Sequence, residues 1–121
     1  EVILASEKYF ASYLNGLFSD PRVQILAEDG RNYLYGTNQN FDVIIGDLFL
    51  PWKAGTSNLY SLEHFQTIRN SLTADGIFMQ WIPSAQITFT EFAIISRTMR
   101  EVFPQVTIWL GDFSPGRSII G

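Results

Sequence analysis

Phe41-Asp42-Val43-Ile44-Ile45-Gly46-Asp47 is an apolar run that closes on a glycine and a carboxylate. Its almost continuous apolar centre suits a strand covered on both faces in a mainly parallel sheet. In open sheets of that kind ligands bind outside the carboxyl ends of the strands, so Asp47 stands where a site residue belongs. A second acidic turn, Glu28-Asp29-Gly30-Arg31, lies upstream of it.

On the amino-terminal side of this strand, Ile3, Phe10, Leu14 and Leu17 sit at helical spacing. They predict an amphipathic helix over residues 2–18 that Ser19-Asp20-Pro21 stops. Residues 22–27 alternate as a strand does, and Asp29 is placed to cap a short helix over 30–35 that ends at Gly36. On the other side, a loop over 48–58 carries Pro51, Trp52 and Gly55. Leu62, Phe65, Ile68 and Leu72 then form one helical face, with Ser61 as N-cap and Glu63 in the first turn, where the helix dipole favours negative charge.

Asp75-Gly76 is a turn signal leading into a strand over 77–82. Thr88-Phe89-Thr90-Glu91 has the pattern of a capping box, with Ile87 and Phe92 at the spacing of a hydrophobic staple. The helix it opens should bury Phe92, Ile95, Met99 and Val102, and Pro104 should end it. Residues 106–110 read as a strand, and Ser114-Pro115-Gly116 as a turn returning the chain in an antiparallel final hairpin. Strands alternating with helices predict an α/β fold, the later part of a doubly wound sheet.

The 121 residues suit one domain, and 46% hydrophobic with 15% aromatic content suffices for a packed core. Twelve acidic against eight basic residues give a net charge of −4, and no Lys/Arg cluster occurs, which argues against a nucleic-acid partner. A neutral or cationic small ligand suits this surface better. The absence of cysteine excludes disulfides, a thiolate nucleophile and soft metal sites, and a cytoplasmic location is the expectation. No apolar run approaches the roughly 20 residues of a membrane span. The chain opens without Met inside a helical pattern and closes on Ile119-Ile120-Gly121 within an apparent strand, so a piece of a longer domain is expected.

Asp20-Pro21-Arg22-Val23, Asp29-Gly30-Arg31-Asn32-Tyr33-Leu34, the strand ending at Asp47, Leu59-Tyr60-Ser61 and Gly76-Ile77-Phe78-Met79-Gln80-Trp81 together resemble the spermidine synthase (polyamine aminopropyltransferase) family. Their order and spacing cover nearly the whole chain. Pro51-Trp52-Lys53-Ala54-Gly55-Thr56, Glu63-His64-Phe65 and Gln80-Trp81-Ile82-Pro83 resemble a divergent bacterial branch whose members are often fused to membrane-spanning segments.

The resemblance implies a Rossmann-like, S-adenosylmethionine-dependent methyltransferase-like fold, with residues 1–121 a partial catalytic domain. The Gly-rich first turn and the ribose-binding carboxylate would lie before Glu1, and the piece alone should be inactive. It implies no permanently bound cofactor and no metal. Decarboxylated S-adenosylmethionine, or S-adenosylmethionine itself, is the implied co-substrate. The first strand that is expected to be missing would leave inner sheet edges unpaired, which predicts a homodimer or a domain-swapped association.

By the same resemblance Asp29, with Gly30, lies beside the adenine and accepts a hydrogen bond from its exocyclic amine, as a group that only accepts can do. A plain N-cap is the other role open to Asp29, and the two can coexist. Asp47 matches the family's catalytic carboxylate, which takes a proton from the attacking amine. An ammonium with a pKa near about 10.4 is no nucleophile until it loses that proton. The alternative for Asp47 is a solvated strand-end or loop-cap residue.

Polyamine-making members usually carry Asp-x-x-Asp-Pro here, and this chain reads Asp47-Leu48-Phe49-Leu50-Pro51. Leu50 cannot pair with an ammonium, and burying that charge alone costs several kcal/mol. Putrescine therefore fits poorly as acceptor. Gln80 matches a pocket-lining glutamine, with strand-end packing as the alternative. Trp52 and Tyr60 wall a pocket for a cationic acceptor or cover the sheet edge. His64 reads as a polar helix residue without ligand partners. Two rival functions stay open: methyl transfer from S-adenosylmethionine, and a non-catalytic binding or assembly module with the same fold.

Overall fold

The computed structural model describes residues 1–47, 54–83 and 86–109. They fall into two compact units, Glu1–Tyr33 and Leu34–Gly121.

In the first unit α1 (Val2–Phe10) is followed by a 3₁₀ turn, Leu17–Ser19. The expected helix over 2–18 is thus cut short. Asn15 and Gly16 take left-handed backbone angles, φ 47° and 81°, which a right-handed helix cannot continue through. Asp20 then accepts three hydrogen bonds from the Arg22 side chain and one from its backbone N–H, which holds its carboxyl below the usual carboxylate range. Residues 23–27 run without a strand ladder, contrary to the expectation for 22–27. Alternating side chains make a strand only where a neighbour's backbone pairs with them. α2 (Gly30–Gly36) opens beneath Asp29, whose Oδ1 accepts from the Asn32 backbone N–H at 2.9 Å. The unit boundary falls inside this helix.

The second unit is built on β1 (Phe41–Gly46), α3 (Leu62–Ser71) and β2 (Leu72–Gln80). β1 and β2 pair in parallel, as strands joined through a helix can. Ser61 caps α3, accepting from the His64 backbone N–H at 3.2 Å. The face expected to be buried is buried: Phe65, Ile68 and Leu72 join Tyr60 and Ile95 in the core. α4 (Phe89–Val102) begins with the capping box read in the sequence. The Glu91 N–H donates to Thr88 Oγ1 at 3.2 Å, and the Thr88 N–H donates to Glu91 Oε2 at 2.7 Å. Met99 and Val102 pack against the core, and α4 ends just before Phe103-Pro104.

Ile44 and Phe78 also pack on that core, and the Phe78 ring lies between those of Phe65 and Phe103 at 5.9 and 5.6 Å. Among the described residues of this unit, only this face of the sheet is packed on the core. Val43, Ile45, Ile77 and Met79, which alternate with the inward residues, are between 53 and 64% exposed. β2 also starts earlier than expected. Asp75-Gly76 forms no turn ahead of the strand; it belongs to a bulge inside it, where β1 advances two residues from Phe41 to Val43 while β2 advances five from Leu72 to Ile77.

The expected antiparallel hairpin lies largely outside the described residues. Residues 106–109 form no strand, their local bond being Trp109 Nε1–H to Thr107 Oγ1 at 3.2 Å, and residues 110–121 lie outside the described set. The strand pairing among the described residues is parallel. Among the described residues no helix is long and apolar enough to cross a membrane.

Candidate active site

β1 delivers the chain to Gly46, which is buried, and then to Asp47, which is exposed immediately beyond the carboxyl end of the strand. Gly46 pairs in register with Gln80, the last residue of β2. Its carbonyl oxygen accepts two hydrogen bonds, from the Trp81 backbone N–H at 2.8 Å and from Gln80 Nε2 at 3.2 Å. Gln80 Nε2 also donates to the Trp81 carbonyl at 3.0 Å. The nitrogen end of this amide must face those oxygens, because its own oxygen there would meet two acceptors. Gln80 Oε1 is left buried with no partner among the described residues. Leaving a buried acceptor unmade costs about 1–3 kcal/mol, so this is an unusual feature for a purely structural glutamine.

Asp29 is exposed and belongs to the first unit. It fills the capping role foreseen for it, while the described residues give its second carboxylate oxygen no partner. Gly30, the first residue of α2, has no heavy atom within 4 Å of where a Cβ would stand. Tyr60 ends the 3₁₀ turn Thr56–Tyr60, entered through Gly55 at φ 85°, and is only 6% exposed in the core cluster. Burial pushes its phenol above the ordinary tyrosine value. Its ring is therefore committed chiefly to packing. Trp52 and Leu50 lie outside the described residues.

His64 lies in α3, the helix expected for it, and is buried beside Phe65. Among the described residues no group of three or more His, Cys, Asp or Glu is placed to hold a metal ion. The feature that sequence reasoning missed is the junction of Gly46 with Gln80. These residues are 34 apart, so no local pattern announces it. A separate cleft of about 360 Å³, lined by Thr37, Asn38, Asn40, Thr67 and Asn70 among others, opens at the amino end of β1, away from Asp47.

A sequence model described as the spermine/spermidine synthase domain matches residues 1–110. The chain belongs to that family. Among curated relatives it is 33% identical over 108 residues to a polyamine aminopropyltransferase of Synechococcus sp. (strain JA-2-3B'a(2-13)), covering 88% of this chain and 35% of the relative. A polyamine aminopropyltransferase of Pyrobaculum islandicum is 30% identical over 120 residues, which is 93% of this chain and 41% of the relative. Polyamine aminopropyltransferase 2 of Hyperthermus butylicus is 28% identical over 104 residues, with 85% and 34% covered. The chain thus spans between about a third and two fifths of the length of these polyamine aminopropyltransferases.

Proposed function

We propose that the whole protein carrying this chain transfers an aminopropyl group from decarboxylated S-adenosylmethionine to an amine, with Asp47 as the general base. The carrying observation is the exposed Asp47 at the carboxyl end of β1, beside the clamped carbonyl of Gly46. Membership of the spermine/spermidine synthase domain family and the shared name of the curated relatives support the same reading.

In this reaction the amine nitrogen attacks the aminopropyl carbon bound to sulfur. The N–C bond forms and the C–S bond breaks. The sulfonium takes the electron pair and leaves as a neutral thioether nucleoside, and the proton lost by the amine goes to the Asp47 carboxylate. Positioned general-base catalysis of this kind contributes about 10²–10⁴-fold. Gln80, with Nε2 spent on two carbonyls, has only Oε1 left for the ligand and therefore accepts from an amine N–H. Asp29, with Gly30 beside it, accepts from the adenine amine through the oxygen not used in capping. Trp52 is assigned by the same reading to the cationic acceptor, which an aromatic ring attracts, while Tyr60 is committed to the core. The chain supplies the later part of a doubly wound, methyltransferase-like catalytic domain.

Leu50 favours one second reading, methyl transfer from S-adenosylmethionine, because a leucine removes the carboxylate that would hold a diamine's distal charge. Incubating the whole protein with each nucleoside and a panel of mono- and diamines separates the two. Aminopropylated product with 5′-methylthioadenosine supports the proposal. Methylated product with S-adenosylhomocysteine overturns it in favour of methyl transfer.

Self-association belongs to the same proposal. Among the described residues of the second unit β1 and β2 pair only with each other, so each keeps an open edge there, and Val43, Ile45, Ile77 and Met79 are exposed on one sheet face. Light scattering of the 121-residue chain should give a homodimer or a domain-swapped association, and a monomer at high concentration would count against it.

A further inference from the structure

Resting on Asp47 as the general base, we propose that Gln80 is a positioning residue that fixes the direction of the Asp47 carboxylate by clamping the Gly46–Asp47 peptide. The oxygen of that peptide is the Gly46 carbonyl, and it has two lone pairs. One is taken by the Trp81 N–H of the ladder and the other by Gln80 Nε2, at 2.8 and 3.2 Å. With both in place the peptide plane cannot turn without breaking a hydrogen bond.

The clamp matters because of its neighbours. Gly46 has no Cβ to restrict its own backbone, so the peptide after it is the freest joint at the strand end. Asp47 is exposed, and among the described residues no hydrogen bond holds its side chain. The backbone is then what aims the carboxylate. Gln80 secures its own amide by the second bond to the Trp81 carbonyl, at 3.0 Å, so Nε2 spans the ends of both strands. A catalytic group misplaced by about 1 Å loses on the order of 10²-fold in rate, so a hinge at this joint reaches the chemistry directly.

This role belongs to the nitrogen of Gln80, whereas ligand binding belongs to its oxygen, and variants separate them. Gln80→Glu keeps an acceptor for an amine and removes the donor that clamps Gly46. Gln80→Met removes both at similar length. In the whole protein, kcat for aminopropyl transfer should fall about 10- to 100-fold in each variant, with the amine KM of Gln80→Glu within about threefold of the parent. A kcat within twofold of the parent in either folded variant, with only KM changed, would overturn the proposal. If Gln80→Glu fails to fold, Gln80→Met decides by the same kcat criterion.

A second readout needs no turnover. The Trp81 amide, bonded to the same Gly46 oxygen, should exchange its hydrogen at least about tenfold faster in Gln80→Met, and unchanged exchange refutes the clamp. A protein that transfers no aminopropyl group but shows this acceleration would sink the proposed function while leaving the clamp in place.

Discussion

Replacing Gly76 by alanine tests how the strand that carries Asp47 is held to its partner. Gly76 sits in the β2 bulge, opposite the start of β1. A Cβ there would meet the Phe41 carbonyl oxygen at 3.0 Å, Leu72 Cδ2 at 3.0 Å and Leu72 Cβ at 3.1 Å. These are shorter than ordinary van der Waals contact, and two of the three atoms cannot swing aside. The Phe41 oxygen is backbone, and the Leu72 Cβ is fixed to a residue that is 5% exposed in the core. The glycine is therefore needed for space. Thr73 Oγ1, which donates to Asp42 Oδ1 at 3.0 Å across the same bulge, further limits retreat.

Overpacking of this kind costs about 1–3 kcal/mol. The lower chain entropy of unfolded alanine returns about 0.4–1 kcal/mol. A net loss of about 1–2 kcal/mol should move the urea midpoint of the whole protein down by roughly 0.5–1 M. Gly36→Ala is the control, because no heavy atom lies within 4 Å of its Cβ position. Alanine there should leave stability unchanged or raise it by up to about 1 kcal/mol. A Gly76→Ala midpoint at or above that of the parent, with the control behaving as stated, refutes the reasoning.

Phe65→Ala empties the centre of the second unit, where the ring is 0% exposed and lies 5.9 Å from that of Phe78. The expected loss is about 3–5 kcal/mol, a large part of a typical domain's stability, read as a collapse of the denaturant midpoint and of soluble yield. Thr88→Ala removes the α4 cap and should cost about 1 kcal/mol at neutral pH by thermal unfolding. Glu91 in that capping box is held below the ordinary carboxylate value by hydrogen bonds from the Thr88 backbone N–H and then its hydroxyl. Because the folded value is the lower one, the contribution is complete above the unfolded value and fades as pH falls through the folded value. The gap between parent and Thr88→Ala should accordingly narrow in acid, and a gap that widens would contradict the capping account.

Short-range chemistry was legible in the sequence. Asp29, Ser61 and Thr88 with Glu91 cap their helices as their spacing indicates, and the buried stripe of α3 follows the helical repeat. The β1 strand and the strand-end place of Asp47 follow from one apolar run. What failed turns on competition or distance. Leu14 and Leu17 continued a helical pattern that the left-handed pair Asn15-Gly16 interrupts, although an Asn-Gly step is itself a turn signal. The alternation of residues 22–27 and 106–109 could not reveal whether a neighbouring backbone pairs with them. Asp75-Gly76 has turn chemistry, and only the register against β1 makes it a bulge. The Gln80 clamp joins two strand ends and has no local signature at all.

The central claim is that Asp47 takes the proton from the attacking amine. Asp47→Asn keeps the shape of the side chain and removes its basicity, so the measurement is single-turnover release of 5′-methylthioadenosine by the whole protein, parent against variant. The expected rate is lower by about 10²–10⁴-fold with the nucleoside still bound. A rate within a few-fold of the parent would contradict it.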